Sequence, residues 1–552
     1  MVRSETNTVG DRRVYLETFG CQMNVLDSQL VQGQLRALGY EFVDRPEGAD
    51  VVLYNTCSVR EHAEQKVYSR LGRIAAANRG AAGPVVGVIG CMAEREGTAL
   101  SNRFPQIDVL CGPGELDKLP LLINNAVRTK FLPSRSRRAP QTALQGDTHR
   151  RSATLSAAED QLEMLDLSRS FSPDDHHGSA YVRITRGCNK FCSYCVVPRT
   201  RGAEVHRPPD HIVEECRRLV DAGVVEITLL GQTVNHYRFD HNAAVTSQGV
   251  LRAQIGAVVT SGSGPQPRHT GAGGSDTAVA QEQATTRITS FADLLARVHD
   301  EVSGLARLRF VTSFPRDFGD DILEVMRARP RICRYLHLPV QSGSNRILGL
   351  MNRGYTVQAY RQLIQRVRRF LPDCQIATDV ICGYPTETDE DHEATADLLR
   401  WGQFKNAFIF KYSPRPGTTA CERQVDDVPE PLKRSRNHEL LEIQNTVSAR
   451  VHAAMIGSTV DVFIESVSAR SRKRAHGAGP AITLGWEKPQ TVTQLTGRTG
   501  GDLIVLLDAE PDLVGSVVKV RIERSAPLML FGRLVGEQVE ACKTPVAPVA
   551  SG

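Results

Sequence analysis

The sequence alternates twice between strand-like and helix-like segments, and this alternation constrains the fold more than any other feature. From residue 13 to about 125, the apolar runs RVYLETFG, DVVLYNTC, VVGVIGCMA and DVLCG are separated by segments with apolar residues at three-to-four spacing. Strands that alternate with helices predict a parallel sheet covered by helices on both faces. We therefore predict an α/β chain whose residues 11–130 form a doubly wound parallel sheet.

A second alternating region follows a polar stretch, residues 131–176, that we interpret as a linker. Its candidate strands are YVRITRG, VVEITLLG, RLRFVTS, YLHLPVQ, QIATDVICG and NAFIFKYS. Six strand–helix repeats predict a partial (βα) barrel over residues 177–445. Within it, residues 240–287 are rich in Gly, Ser, Thr and Ala, which is typical of a flexible surface insertion.

The last part of the chain changes character. The short runs TVDVFIES, AITLGW, TVTQLTG, DLIVLLD and VVKVRIERS are separated by Gly and charged residues. They predict a small antiparallel, OB-like β-barrel over residues 446–537, followed by a tail at 538–552.

The chain has 13 cysteines, no apolar signal core near its first residues, and no apolar run of membrane-spanning length. We therefore expect a cytoplasmic protein without membrane association, in a reducing compartment where metal ligation or redox chemistry explains cysteines better than disulfides. The net charge of +5 permits a nucleic-acid partner without requiring one.

Three cysteines, Cys188, Cys192 and Cys195, form a C-x3-C-x2-C loop directly after YVRITRG. We call them the central triad. Thiolates on one tight loop cannot bridge one another without strain, but they can hold one soft metal centre. Three ligands to a four-iron cluster leave one iron open. Zinc or purely structural cysteines are the alternatives.

Three others, Cys21, Cys57 and Cys91, each stand at the carboxyl end of a predicted strand. We call them the N-terminal triad. Ligand sites gather at this edge of open parallel sheets, so we expect the three to converge. The alternative is three buried core cysteines, and Cys111 is a weaker candidate for a fourth ligand. The remaining cysteines read as structural: Cys216, Cys333, Cys374, Cys382, Cys421 and Cys542.

The segment RGCNKFCSYCVVPRTRG resembles the signature loop of radical S-adenosylmethionine enzymes, and GCQMN, NTCSVRE and GCMAE resemble the N-terminal domain of the methylthiotransferases. A C-terminal barrel is similar to their RNA-binding TRAM domain. The resemblance spans about residues 13–535 apart from the linker and insertion. Three features depart from it: Thr233 stands where the family usually has Asn, RGAEVHRP replaces a more Arg/Ser-rich run, and the insertion is unusual.

The resemblance implies two [4Fe-4S] clusters and S-adenosylmethionine. A cluster on the central triad would cleave S-adenosylmethionine to a deoxyadenosyl radical, and one on the N-terminal triad would carry the inserted sulfur. NTCSVRE and YCVVPRTRG favour the branch that converts N6-(dimethylallyl)adenosine at position 37 of tRNA to its 2-methylthio derivative. Branches acting on threonylcarbamoyladenosine or on a ribosomal-protein aspartate are alternatives, as is a noncatalytic iron–sulfur RNA-binding protein.

Five polar side chains are expected to contact S-adenosylmethionine because of their places in the loop and strands: Tyr194, Gln232, Asn235, Ser313 and Asp379. Each could equally be a turn or core residue, and no side chain is assigned a catalytic role, since cofactors carry such chemistry.

We expect the anticodon stem-loop of tRNA to contact the central site and the barrel. A basic run in the barrel domain is a candidate phosphate contact, and one in the linker is weaker: Arg470, Arg472, Lys473 and Arg474, and Arg135, Arg137 and Arg138. Expected protein partners are an electron donor such as flavodoxin or ferredoxin and iron–sulfur carriers, with the chain itself a monomer.

Overall fold

The computed structural model describes residues 12–58, 61–77, 83–130, 139–145, 163–167, 169, 177–241, 287–468, 471 and 493–536. These residues form an N-terminal sheet, a central parallel assembly and a C-terminal closed barrel. The α/β class is therefore confirmed. None of the described helices combines the length and apolarity that crossing a membrane requires.

The N-terminal unit is a parallel sheet with helices on both faces. Its strands are β1 (Arg13–Phe19), β2 (Glu41–Phe42), β3 (Val51–Thr56), β4 (Val85–Gly90), β5 (Val109–Cys111) and β6 (Gln141–Ala143), and its helices are α1 (Gln22–Ala37), α2 (Glu61–Ala77), α3 (Cys91–Glu96), α4 (Thr98–Arg103) and α5 (Leu119–Lys130). The strand order is β2-β1-β3-β4-β5-β6. Helices α1 and α5 pack on one face and α2, α3 and α4 on the other, which confirms the doubly wound arrangement.

Strand β6 lies inside the stretch that the sequence predicts as a linker. It pairs with β5 in parallel, with Gln141 opposite Val109. Its sequence QTA is too short and too polar to show strand periodicity, so only the pairing identifies it. The sheet thus extends beyond residue 130, and a short helical turn at 163–167 is also described within the same stretch.

The central unit contains the six predicted strands, all confirmed as parallel pairs. They are β7 (Ser179–Arg183), β10 (Glu226–Leu230), β13 (Arg307–Phe310), β14 (Tyr335–His337), β15 (Gln375–Cys382) and β16 (Asn406–Lys411). One sheet has the order β13-β10-β7 and the other β14-β15-β16. A parallel bridge pairs Leu308 of β13 with Ile332, in the segment that leads into β14. Within the described strands, β7 and β16 do not pair, so the barrel is partial.

Two short antiparallel strand pairs lie outside the parallel sheets of this barrel. They are β8 (Thr185–Arg186) with β9 (Val205–His206), and β11 (Arg238–Asp240) with β12 (Ile288–Ser290). The second pairs Asp240 with Ile288, at the two ends of the predicted insertion. Residues 242–286 of the insertion lie outside the described part of the chain.

Amphipathic helices cover the central strands and build the largest core of the molecule. They are α6 (Val197–Thr200), α7 (Pro209–Asp221), α8 (Phe291–Glu301), α9 (Asp320–Ala328), α10 (Asn345–Leu350), α11 (Val357–Phe370), α12 (Asp389–Gly402), α13 (Thr419–Arg423) and α14 (Glu430–Ala453). Capping boxes on Ser290 and Thr388 fix the starts of α8 and α12, since each side chain accepts a hydrogen bond from the third residue of its helix.

A closed five-stranded barrel follows α14. Its strands are β17 (Thr459–Val467), β18 (Thr493–Thr499), β19 (Ile504–Ala509), β20 (Val517–Ala526) and β21 (Met529–Leu534), in the order β17-β18-β19-β21-β20. Closure pairs β19 with β21 in parallel, so the expectation of a wholly antiparallel barrel is wrong at that one pair. The predicted strand AITLGW lies outside the described residues, and β21 supplies the fifth strand.

A buried ionic network joins the N-terminal sheet to the central unit. Arg183 on β7 donates to Asp27 on α1 at 3.1 Å and to Asp166 at 2.7 Å. The wholly buried Arg207 donates to Glu163 and Glu215 at 2.8 Å each. Because each of these guanidinium groups faces carboxylates, the charges are compensated where the two units meet.

Candidate functional site

The central triad lies on the loop between β8 and α6, at the carboxyl end of the first barrel strand. Cys188 and Cys192 are buried and Cys195 is half-buried. The loop is folded back on itself: the Cys195 amide donates to the Cys192 carbonyl at 3.0 Å, and the Cys188 amide donates to the Gly202 carbonyl at 3.1 Å. This backbone pairing holds three thiols on one short segment at the mouth of the barrel.

Arg353 places a buried positive charge beside this loop. Its Nη1 lies 3.3 Å from the Cys192 sulfur and 3.3 Å from the Tyr194 hydroxyl, while Nη2 donates to the Pro339 carbonyl at 2.8 Å. The ring of Phe314 lies 4.5 Å from the guanidinium carbon. A fixed cation here favours negative charge on the thiols and on any iron–sulfur group they hold.

Without a metal, two of the central-triad thiols, those of Cys188 and Cys195, are hard to ionise. Burial raises the pKa of Cys188, and it raises the pKa of Cys195 to about 12, with the neighbouring Cys192 adding to the effect. Metal ligation must therefore expel protons from this loop, because the thiolate is the ligand.

The N-terminal triad converges as predicted for three adjacent strand ends. In the sheet register, Phe19 of β1 lies opposite Thr56 of β3, and Thr56 lies opposite Gly90 of β4. Cys21, Cys57 and Cys91 follow those residues by one or two positions. Parallel pairing thus brings residues distant in sequence to the same edge.

Two glycines allow this close approach. A Cβ on Gly90 would lie 2.4 Å from the Asn55 Oδ1, and one on Gly20 would lie 2.7 Å from the Cβ of Cys57. Asn55 is itself held by hydrogen bonds with Asn24, at 3.0 Å between side chains and 2.8 Å to the Asn24 carbonyl. The Gly-Cys pairs in GCQMN and GCMAE are therefore a packing requirement of this edge.

Arg201 reaches from the central unit into the N-terminal triad. Its guanidinium bonds to Asp27 at 2.7 Å and its side chain is 7% exposed. A hydrogen bond from Cys57 lowers the pKa of Cys21, and Arg201 adds to that lowering. Burial raises the pKa of Cys91, and Arg201 opposes it. One cation from the neighbouring unit thus favours thiolates at this site.

The spread of the sulfurs bears on which metal group fits. A tetrahedral zinc ion with Zn–S distances of about 2.3 Å holds its sulfurs about 3.8 Å apart. Among the described residues, a single group of three His, Cys, Asp or Glu side chains has all donor atoms within 4.8 Å, and it contains no cysteine. No set of three described side chains that includes these cysteines is therefore as compact as one zinc ion requires.

Two of the five residues expected to contact S-adenosylmethionine carry unsatisfied polar atoms. The Gln232 Oε1 and the Ser313 Oγ are buried without a hydrogen-bond partner among the described residues. Both follow barrel strands, β10 and β13, on the side that carries the cysteine loop. Buried polar atoms are rarely left unpaired, so these two favour a polar ligand at the strand ends.

The other three are already engaged. The Asn235 amide clamps the backbone of Phe314, accepting from its amide at 2.7 Å and donating to its carbonyl at 3.0 Å. Asp379 bonds to the His337 Nε2 at 2.8 Å, and Tyr194 packs against a small apolar cluster that includes Met351 and Tyr384. Contact of all five with the cofactor stays a prediction, and Asn235 also holds the turn that presents Ser313.

The cysteines outside the triads are mostly in the hydrophobic core. Cys111, the weaker ligand candidate, is fully buried and its sulfur donates to the Glu115 carbonyl at 3.2 Å. Cys216, Cys374 and Cys382 belong to the main core cluster. Cys333 is also buried and Cys421 is half-buried, whereas Cys542 lies outside the described residues, as do the two basic runs.

Sequence reasoning missed three groups that border the triads. Arg353 and Arg201 contact the two sites from distant segments, and the Thr233 hydroxyl lies 3.6 Å from the Cys188 sulfur. Arg201 and Thr233 stand in segments, YCVVPRTRG and LGQTVN, that carry the family resemblance, which is the signal that could have found them.

Comparison with known proteins agrees with this arrangement. Residues 13–112 match Uncharacterized protein family UPF0004, and residues 182–399 match the Radical SAM superfamily. A tRNA-2-methylthio-N(6)-dimethylallyladenosine synthase of Rhodopirellula baltica is 36% identical over 534 residues, which is 97% of this chain and 98% of the relative. One of Moorella thermoacetica is 36% identical over 520 residues, 94% and 97% of the two chains.

Among solved structures, a radical S-adenosylmethionine methyltransferase of Kitasatospora setae matches 74% of each chain at 17% identity and a TM-score of 0.47. The sequence relatives, which align over nearly their whole length, establish the family. The chain belongs to the tRNA-2-methylthio-N(6)-dimethylallyladenosine synthase family, within the radical S-adenosylmethionine superfamily.

Proposed function

We propose that the chain methylthiolates carbon 2 of N6-(dimethylallyl)adenosine at position 37 of tRNA, next to the anticodon. The observation that carries the proposal is the presence of two separate cysteine triads on one chain, at the mouth of the central barrel and at the edge of the N-terminal sheet. Family membership implies S-adenosylmethionine and a [4Fe-4S] cluster, and the second triad favours a second cluster.

When bound, these groups supply one-electron cleavage of S-adenosylmethionine, the sulfur to be inserted and the methyl group. The residues of the chain hold and orient them. The central triad would hold one cluster, with Arg353 offsetting its negative charge at 3.3 Å from the Cys192 sulfur. The N-terminal triad would hold the other, with Arg201 in the same role.

The turn after β13 is placed to orient S-adenosylmethionine. Thr312 adopts a left-handed backbone (φ 69°), which is strained for a β-branched residue. The Val234 amide donates to the Thr312 carbonyl at 3.1 Å, and Asn235 clamps Phe314. Ser313 is thereby held with its hydroxyl unpaired within the described structure, where it would donate to or accept from the cofactor.

The C-terminal barrel would contact the tRNA as a TRAM domain, since small barrels of this type bind nucleic acid on their surfaces. An electron donor such as flavodoxin or ferredoxin and iron–sulfur carrier proteins would supply electrons and clusters. We propose a cytoplasmic monomer.

The direct test is analysis of nucleosides in tRNA from a deletion strain that carries the gene or its variants. The intact chain should restore 2-methylthio-N6-(dimethylallyl)adenosine, and a variant with the central triad changed to Ala should not. Cys421→Ala, which alters a half-buried cysteine outside both triads, is the matched control and should restore it. If the chain restored only methylthiolated threonylcarbamoyladenosine, or only a modified ribosomal protein, it would belong to another branch of the methylthiotransferases.

Iron content tests the two-cluster assignment. Anaerobic reconstitution should give about eight iron atoms per chain, as two four-iron clusters, and about four after either triad is changed to Ala. A full iron load in the N-terminal triple variant would show that those cysteines are not ligands.

A further inference from the structure

One group of ligand-type side chains outside both triads remains unexplained. Glu204 precedes β9, His206 ends it, and His236 ends the single turn of 3-10 helix after β10 (Val234–His236). One donor atom from each lies within 4.8 Å of the other two. Among the described residues no other set of three His, Cys, Asp or Glu side chains converges this closely.

The contacts inside this group leave donor atoms unused. Glu204 Oε2 lies 2.6 Å from His236 Nδ1, yet Glu204 Oε1 and His206 Nδ1 are buried with no hydrogen-bond partner in the described structure. The Glu204 side chain is 1% exposed, whereas His236 is 41% exposed. A simple Glu–His ion pair would account for the first contact but not for the two buried atoms that remain unpaired.

The group is held in place by its surroundings. The Glu204 amide donates to Asn189 Oδ1 at 3.1 Å, and the His236 amide donates to the Thr233 carbonyl at 3.2 Å. The His206 ring packs edge-on against Tyr237 at 5.6 Å between centroids. The three ligand-type side chains thus come from rigid positions, which favours a preorganised site.

We propose that Glu204, His206 and His236 bind one divalent transition-metal ion, of the class of Zn2+ or Fe2+, separate from the iron–sulfur clusters. Two imidazoles with one carboxylate form a ligand set for zinc and for non-haem iron, whereas Mg2+ and Ca2+ prefer oxygen ligands alone. Donors around such an ion, at about 2.0–2.2 Å from it, stand about 3.0–3.5 Å apart, so small side-chain rotations complete the site. Exposure of His236 gives the ion a path from solvent.

The ion would join two segments that border the central triad. Strand β9 pairs with β8 just before the cysteine loop, and the turn that carries His236 begins at Thr233, whose hydroxyl is 3.6 Å from the Cys188 sulfur. Metal ligation would therefore fix the positions of these two segments beside Cys188 without supplying a ligand to the cluster.

The test uses the full chain with its clusters reconstituted anaerobically, freed of loosely bound metal, and titrated with Zn2+ in excess Mg2+. One zinc per chain should bind above the cluster iron. His206→Gln and His236→Gln should each weaken zinc affinity by roughly 10–100-fold or more, because loss of an outer-shell partner alone costs that much. Unchanged iron content and cluster absorption would show that the variants fold.

His211→Gln is the matched control, because His211 also lies beside a carboxylate, 3.3 Å from Glu163, but outside the group of three. It should bind zinc like the unaltered chain. Failure of the unaltered chain to bind any zinc above its clusters, or zinc affinity that survives both His206→Gln and His236→Gln, would overturn the proposal.

Discussion

Asp502→Asn should loosen the C-terminal barrel from the central unit. Asp502, in the turn after β18, accepts hydrogen bonds from Arg309 on β13 at 2.6 Å and from Arg498 at 3.1 Å, and it also contacts Lys405. The side chains of Arg309 and Lys405 are 5% and 8% exposed. Asp502 has a left-handed backbone (φ 62°) that Asn tolerates, so the substitution removes the charge with little backbone cost.

The size of the effect depends on which polar partners each cation keeps after Asp502 is replaced. Removing one partner of a buried ion pair costs about 3–5 kcal/mol. Arg309 retains Glu226 at 3.6 Å, Arg498 retains Glu465 at 2.8 Å, and Lys405 retains its contact with the backbone carbonyl of residue 502, so the lower end applies, about 3 kcal/mol. At 1.4 kcal/mol per factor of ten, the population with an undocked barrel should rise about 10²-fold.

Limited proteolysis under native conditions measures this population, because cleavage tracks the open fraction when opening and closing are fast. Release of the fragment that contains residues 493–536 should accelerate about 10²-fold in Asp502→Asn. The matched control is Asp461→Asn, which breaks an exposed pair with Lys519 (62% and 67% exposed) and should change the rate less than about fivefold. Equal rates for the two variants would show that Asp502 does not hold the barrel against the central unit.

Three further predictions concern acid, a glycine and the insertion. Burial raises the pKa of Asp502, but Lys405 and two arginines outweigh burial and hold this pKa at about 2, below the ordinary 3.8. The contact between the barrel and the central unit should therefore keep its strength above pH 3.8 and weaken as pH falls towards 2. A rate of proteolytic release that does not change down to pH 3 would contradict this. Gly90→Ala should lose the iron of the N-terminal triad, since its Cβ would meet Asn55 at 2.4 Å, whereas Gly223→Ala, at a similar φ with open space, should keep it. Replacing residues 242–286 by an Asn-Gly turn should leave iron content unchanged, because β11 and β12 already pair across that segment; loss of both clusters would mean that the insertion is structural.

Much of the fold was predictable because strong local patterns mark it. The six barrel strands are apolar runs that lie between amphipathic helices, and β3 and β4 are buried on both faces, so they read as continuous apolar sequence. Strand β6 was missed because QTA has no apolar periodicity, and its pairing with β5 depends on tertiary context. The parallel β19–β21 pair follows from barrel closure, which no local pattern encodes.

The sites were predictable to the extent that backbone topology places them. Adjacent parallel strands bring Cys21, Cys57 and Cys91 to one edge, so strand-end position alone predicted the N-terminal triad. Arg353 and Arg201 could not be placed in the same way, because each reaches its site through tertiary packing that sequence periodicity does not report.

We propose that the two triads have separate roles, the central triad in radical formation and the N-terminal triad in sulfur delivery. The chain with Cys21→Ala, Cys57→Ala and Cys91→Ala is incubated anaerobically with S-adenosylmethionine, strong reductant and tRNA, and 5′-deoxyadenosine and methylthiolated nucleoside are both quantified. We expect that 5′-deoxyadenosine still forms while methylthiolation is lost, and that the corresponding variant of Cys188, Cys192 and Cys195 forms neither. Methylthiolated tRNA from the N-terminal variant would show that Cys21, Cys57 and Cys91 do not deliver the sulfur.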